Sequence, residues 1–164
     1  MTLFCGLEFE VTPDVLRPYA ATERLVEKAV EMLAGLPNPR FIDVGTGSGN
    51  IVVSILKALP NATAIATDIS FAALLVARRN AEKHGVADRV AFVACDALEA
   101  LKGQFDAVVC NPPYWTRERY EERQPTTGPR IAITDDADGG SLIRKIKGVF
   151  KGPLVFEMDC QVNQ

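Results

Sequence analysis

Between Phe41 and Leu59 the chain passes from a strand to a helix across three glycines. Phe41-Ile42-Asp43-Val44 is a short apolar run, Gly45-Thr46-Gly47-Ser48-Gly49 follows at once, and residues 51–59 continue as a helical run. No other feature limits the fold as severely. A strand that turns this tightly into a helix lays the helix across a face of its own sheet, and the next strand then runs parallel to the first. The pattern recurs downstream. Residues 62–68 read as a strand before the helical run Phe71–Lys83, residues 89–95 and 105–110 as strands, and residues 139–147 as a short helix before a strand at 153–158. This alternation predicts an α/β fold, an open parallel sheet with helices on both faces. Helix Phe71–Lys83 carries Phe71, Leu74, Leu75 and Ala81 on its expected core side, and His84-Gly85 suits its C-terminal cap.

The predicted strands end at Gly45, Asp68, Asp96 and Asn111, and open α/β sheets bind ligands in the crevice at those ends. A glycine-rich turn lets a ligand approach the backbone and sets it at a helix N-terminus. Its spacing separates two ligand classes. A dinucleotide fingerprint has glycines first, third and sixth, whereas here Asn50 is sixth and the glycines are first, third and fifth. With Asp43 two residues ahead of it, this turn resembles motif I of S-adenosylmethionine-dependent methyltransferases. An acid there suits a ligand carrying an ammonium and a sulfonium better than one carrying a pyrophosphate. Asp68 stands where a carboxylate can accept both ribose hydroxyls; it can equally cap the helix beginning at Phe71, a role open also to Ser70. In the resembling family the acid at the position of Asp96 meets the adenine amino group, while its plainer role is a turn before residues 97–101. Thr46, Gly47, Gly49, Ile69, Ala97 and Asn111 complete the candidate cofactor contacts.

Asn111-Pro112-Pro113-Tyr114 looks like the active-site signature of enzymes that methylate planar amino nitrogens: glutamine amides, adenine N6 and cytosine N4. Such a nitrogen is a weak nucleophile because its lone pair is delocalised. The side-chain oxygen of Asn111 and the backbone carbonyl of Pro112 can each accept one of its N–H bonds, turning the lone pair toward an incoming methyl group. Pro113 stiffens the backbone behind that carbonyl, and Tyr114 offers a flat face for stacking. The bland alternative is a strand ending in a Pro-terminated turn.

Residues 3–11 suggest a small hairpin pivoting on Gly6, and Thr22-Glu23 opens an amphipathic helix with Leu25, Val26, Ala29, Val30 and Leu33 on one stripe. Residues 1–37 thus lead into a cofactor-binding core at 38–164, one domain of 164 residues whose 48% hydrophobic content allows a single core. Residues 111–137 form a long polar stretch of the kind that acts as a lid or binding loop. No apolar run approaches a membrane span. Cys5, Cys95, Cys110 and Cys160 lack metal-type spacing; Cys95 and Cys110 read as reduced core residues of a cytoplasmic protein, and no metal is expected. The single histidine, His84, leaves no Ser-His-Asp constellation. A net charge of −3 argues against unaided binding to nucleic acid, and Arg144, Lys145, Lys147 and Lys151 read as a solvated helix face.

Taken together, Phe4-Cys5-Gly6-Leu7-Glu8-Phe9, Val15-Leu16 through Thr22-Glu23, the glycine turn, Asn111–Tyr114, Gly128-Pro129-Arg130-Ile131-Ala132-Ile133, Asp138-Gly139-Gly140 and Leu154-Val155-Phe156-Glu157 resemble the HemK/PrmC-type methyltransferases of peptide-chain release factors. The resemblance implies a Rossmann-like class I methyltransferase fold and S-adenosyl-L-methionine as cofactor, leaving S-adenosyl-L-homocysteine. It implies methyl transfer to N5 of the glutamine in a release factor's Gly-Gly-Gln motif. Asn111 and Pro112 would hold that glutamine, and Gly45, Gly47, Asp68 and Asp96 the cofactor. The chain departs from the family at Pro18-Tyr19-Ala20-Ala21, where Pro-Arg-Pro-Glu is usual. The family's N-terminal helical domain is not expected, nor its C-terminal helix and antiparallel strand pair, so that a partner chain could complete the sheet edge. Two alternatives stand beside this reading: an N6-adenine methyltransferase acting on DNA or RNA, and a non-catalytic cofactor-binding scaffold.

Overall fold

The computed structural model describes residues 1–164 except Asp136, Asp159, Cys160, Gln164 and the side chain of Val162, so the expectation for Cys160 lies outside the described residues. Strands β1 (Thr2–Phe4) and β2 (Leu7–Phe9) form an antiparallel hairpin, followed by helix α1 (Glu23–Leu33). Then come β3 (Arg40–Val44), α2 (Asn50–Ala58), β4 (Thr63–Asp68), α3 (Phe71–Lys83), β5 (Val90–Ala94) and β6 (Ala107–Cys110). Helices α4 (Arg117–Arg123) and α5 (Ser141–Val149) precede β7 (Leu154–Met158) and β8 (Gln161–Asn163). The sheet order is β5-β4-β3-β6-β7-β8, with the first five strands parallel and β8 antiparallel to β7.

Alternation along the strands divides the core into two layers. Phe41, Val109 and Val155 face α1 and α2 in one layer, while Ile42, Val44, Val108, Cys110 and Phe156 face Ile143 and Ile146 of α5 in the other. The hairpin closes the first layer with Phe4 and Phe9. Its turn needs two left-handed residues, and Cys5 and Gly6 supply them at φ 47° and 72°. Only the glycine does so without strain; the Cys5 N–H is anchored by Glu23 Oε1 at 2.7 Å. His84 ends α3 under the hairpin, its Nε2 2.9 Å from the Glu8 carbonyl and its ring against Phe9, as a last-turn residue should be.

The structure corrects three expectations. The buried stripe of α3 is Ala73, Leu74, Val76, Ala77, Asn80 and Ala81, whereas Phe71 and Leu75 face outward at 67% and 44% exposure. Small residues win that face because the helix must lie close against the glycine turn. The polar stretch after Asn111 is not wholly irregular: it contains α4, capped where Thr116 Oγ1 accepts the Arg119 N–H. That helix buries nothing, so it left no apolar stripe in the sequence. The edge beyond β7 carries the short antiparallel β8, where no further strand was expected. Among the described residues no helix is long and apolar enough to cross a membrane.

Candidate active site

At β3 the strand order reverses direction, since β4 follows it on one side and β6 lies on the other. A cleft of about 340 Å³ opens there above the carboxyl ends of the strands. Its floor is the glycine turn. Gly45 and Gly47 adopt φ 71° and 54°, a conformation costly for any side chain. Nothing lies within 4 Å of a β-carbon built on Gly45, so the space above the turn is open to a ligand. The N–H groups of Gly45 and Thr46 both donate to the Thr67 carbonyl at 2.8 and 2.9 Å, pinning the turn to the end of β4.

Asp68 ties the neighbouring unit to this floor. Its Oδ2 accepts the Gly47 N–H and its Oδ1 the Ser70 N–H, each at 2.9 Å. Burial raises its pKa, and the backbone N–H groups of Ser70, Gly47 and Ile69 partly offset that. The helix cap itself is Ser70, whose Oγ accepts the Ala73 N–H at 3.2 Å. Asp68 is therefore free of capping duty and borders the cleft with the exposed Ile69.

Two residues of the expected cofactor set have no surface on the cleft. Gly49, at φ 78°, lies where a β-carbon would come within 3.0 Å of Ala77, so this glycine lets α3 pack on the turn. Asp43 is fully buried beneath the turn, where Thr46 Oγ1 donates to its Oδ2 at 2.7 Å and Oδ1 has no hydrogen-bond partner among the described residues. Burial pushes its carboxyl up to about 7, opposed by the Thr46 hydroxyl and the Val52 backbone and reinforced by the Asp68 charge.

Asp96 and Ala97 form the next wall. Ala97 is held left-handed at φ 51°, with the Thr67 hydroxyl donating to its carbonyl at 3.1 Å. Asp96 is paired with Lys145 of α5, an exposed residue of the basic helix face that also borders the cleft. The Asp96 contact draws the Lys145 pKa upward. Cys95, expected in the core, is half-buried and also borders the cleft.

The strap after β6 supplies the opposite wall. Asn111 and Pro113 border the cleft; Pro112 is buried behind them, and Tyr114 is half-buried outside the lining. Asn111 Nδ2 donates to Thr22 Oγ1 at 3.3 Å. Thr22 stands at the N-cap of α1, but its side chain makes no capping bond and its hydroxyl turns into the site. Beyond Asn111 the strap is held where the Trp115 N–H donates to the Ile133 carbonyl at 3.0 Å. Gly139 lies so close to Tyr114 that an added β-carbon would sit 2.1 Å from its carbonyl oxygen. Thr22, Tyr19, Cys95, Ile131 and Lys145 are cleft residues that the motifs did not reveal. Tyr19 stands in the departure Pro18-Tyr19-Ala20-Ala21, the one signal that could have drawn attention to this wall.

The Methyltransferase small domain family model matches residues 20–127, a span holding the glycine turn, Asp68, Asp96 and Asn111–Tyr114. The release factor glutamine methyltransferase of Bordetella pertussis is 44% identical over 156 residues, covering 93% of this chain and 57% of the relative. That of Moorella thermoacetica is 48% identical over 139 residues, covering 83% of this chain and 49% of the relative. The chain thus spans about half the length of the curated relatives it matches. Among solved structures, the hMettl16 catalytic domain, crystallised with a MAT2A 3′UTR hairpin, superposes with a TM-score of 0.71 at 20% identity, covering 94% of this chain and 63% of that one. At that identity the likeness shows a shared fold.

Proposed function

The chain belongs to the methyltransferase small domain family, with the sequence features of its HemK/PrmC group, and on that premise we propose that it methylates the N5 amide nitrogen of a glutamine in a peptide-chain release factor, acting in the cytoplasm. S-adenosyl-L-methionine is the group that supplies an electrophilic methyl on a sulfonium. The residues present fit it. The left-handed glycines Gly45 and Gly47 leave open backbone for close approach, Asp68 offers a carboxylate to ribose hydroxyls, and Ile69 and Ala97 flank a flat base. Asp96, paired with Lys145, would offer its carboxylate to an exocyclic amino group of the base. Asp43 acts from below, through Thr46, by holding the turn in shape.

Asn111 and Pro112 receive the glutamine. The Asn111 side-chain oxygen and the Pro112 carbonyl each accept one N–H of the amide, which reduces delocalisation of its lone pair and orients it for in-line attack. Tyr114, next in the strap, supplies an aromatic face that could stack on the flat amide only after turning toward the cleft. No strong base is needed before attack, since the departing proton becomes acidic only as the nitrogen is alkylated.

The observation that carries this reading is the orientation of Asn111. Its nitrogen is committed to Thr22, so its oxygen is the end available to a substrate N–H. The test is transfer of labelled methyl from S-adenosylmethionine to an unmethylated release factor, with Asn111→Ala as control. Label on the Gly-Gly-Gln glutamine, lost in the variant, supports the reading. Label on adenine in DNA or RNA instead would transfer it to nucleic acid, and cofactor binding without label on either would leave a scaffold.

A further inference from the structure

One buried acid takes no part in that mechanism. Glu157, next to the last residue of β7, has only 2% of its surface exposed, and its Oε2 has no hydrogen-bond partner among the described residues. Parallel pairing runs Val108 with Leu154, Val109 with Val155 and Cys110 with Phe156. The next step along both strands brings Asn111 level with Glu157. Thr22, also 2% exposed, reaches both: Asn111 Nδ2 donates to its Oγ1 at 3.3 Å, and its hydroxyl interacts with the Glu157 carboxyl, partly offsetting the rise that burial imposes. Glu157 has no surface on the cleft, and among the described residues Thr22 links it to the cleft wall.

We propose that Glu157 and Thr22 are positioning residues that fix which end of the Asn111 amide faces the substrate. A carboxylate only accepts hydrogen bonds, whereas a hydroxyl has a single hydrogen to give. With that hydrogen directed at Glu157, Thr22 presents a lone pair to Asn111. The asparagine must then turn its NH₂ group inward and its oxygen toward the cleft. The flipped amide would set two acceptors against each other beside a threonine that is only 2% exposed. The inference rests on the proposed role of Asn111 as acceptor.

Glu157→Gln keeps the shape and reverses the polarity. The new amide can donate to Thr22, freeing the threonine hydrogen to bond the Asn111 oxygen and withdraw it from the substrate. Turnover is expected to fall about 100-fold in Glu157→Gln and in Thr22→Val, with Kd for S-adenosylmethionine and thermal stability close to wild type. Thr22→Ser, which retains the hydroxyl, should recover most of the loss. A structural role alone would lower stability in both damaged variants and give no selective recovery by serine. The second readout needs no substrate: in protein labelled with ¹⁵N-asparagine, the Asn111 side-chain resonance, assigned by its absence in Asn111→Ala, should move in Glu157→Gln and Thr22→Val. An unmoved resonance, or full turnover in Glu157→Gln, overturns the proposal. A wild-type protein inactive on release factor, with the resonance still responding, would instead overturn the substrate reading and leave the relay standing.

Discussion

The glycine turn at residues 45–49 and the strap at residues 111–140 face the same cleft and are held in opposite ways. The turn takes its hydrogen bonds from β4 beside it, from Asp68 at the end of that strand, and from Asn80 of the following helix, whose Nδ2 donates to the Ser48 carbonyl at 2.8 Å. The strap takes its restraints partly from the distant N-terminal segment and partly from contacts within itself. The Arg17 N–H donates to the Thr127 carbonyl at 2.9 Å, Gly128 lies against Leu16, Gly139 lies against Tyr114, and Asn111 bonds Thr22. Closure by adjacent elements buries Thr46, Ser48 and Gly49 while Gly45 stays open above. Remote closure leaves the strap dependent on how the first 22 residues dock. The cofactor side should thus respond to mutation through stability and affinity, and the substrate side through turnover.

The largest expected effect is on the strap. Asn111→Ala should reduce methyl transfer by about 100- to 1000-fold while the Kd for S-adenosylmethionine, read by calorimetry, changes only a few-fold. A comparable loss of cofactor affinity would mean that the two walls are not separable. Gly139→Ala sharpens the point from a residue that touches no ligand. Its new β-carbon cannot coexist with the Tyr114 carbonyl, so the strap must shift, and turnover should drop about 10- to 100-fold with cofactor binding preserved. Wild-type kinetics in that variant would show that the strap tolerates displacement.

On the turn, Gly49→Ala forces a side chain into a left-handed position against Ala77. It should cost about 1–3 kcal/mol in chemical denaturation and weaken cofactor binding along with stability. Asp43 gives a smaller effect, visible in pH. Burial lifts its carboxyl to about 7, so the folded protein binds more protons than the unfolded chain from roughly pH 4 upward. Its contribution to stability therefore declines as pH rises through that window and levels off above the folded value. Asp43→Asn should flatten this slope in thermal melts between pH 5 and pH 7.5; an unchanged slope would assign it to other groups. The smallest effect belongs to Lys145→Ala. Its ion pair with Asp96 is largely solvated, so the melting temperature should hardly move while cofactor affinity shifts modestly.

Much of this was legible from residue order. The limits of α3 coincide with those read from its pattern because Ser70 and Gly85 punctuate both ends with local chemistry. The shared location of Gly45, Asp68, Asp96 and Asn111 followed from strand ends in a parallel sheet. Other features were not legible. Gly49 and Gly45 look alike in sequence, but only packing against Ala77 separates a helix-seating glycine from one that meets open space. Helix α4 has no buried face to betray it. Thr22 reads only as the opening of a helix until the fold brings Asn111 within 3.3 Å.

The sequence by itself determined the βα alternation, the glycine turn and the Asn-Pro-Pro-Tyr wall, because each depends on backbone conformations and periodicities set by neighbours within a few residues. Only the tertiary structure decided that Asp43 works from beneath the turn, that Lys145 meets Asp96, and that Thr22 and Glu157 gather behind Asn111. Those contacts join segments far apart in the chain, and burial, strand register and the direction of each hydrogen bond exist only once the sheet has formed.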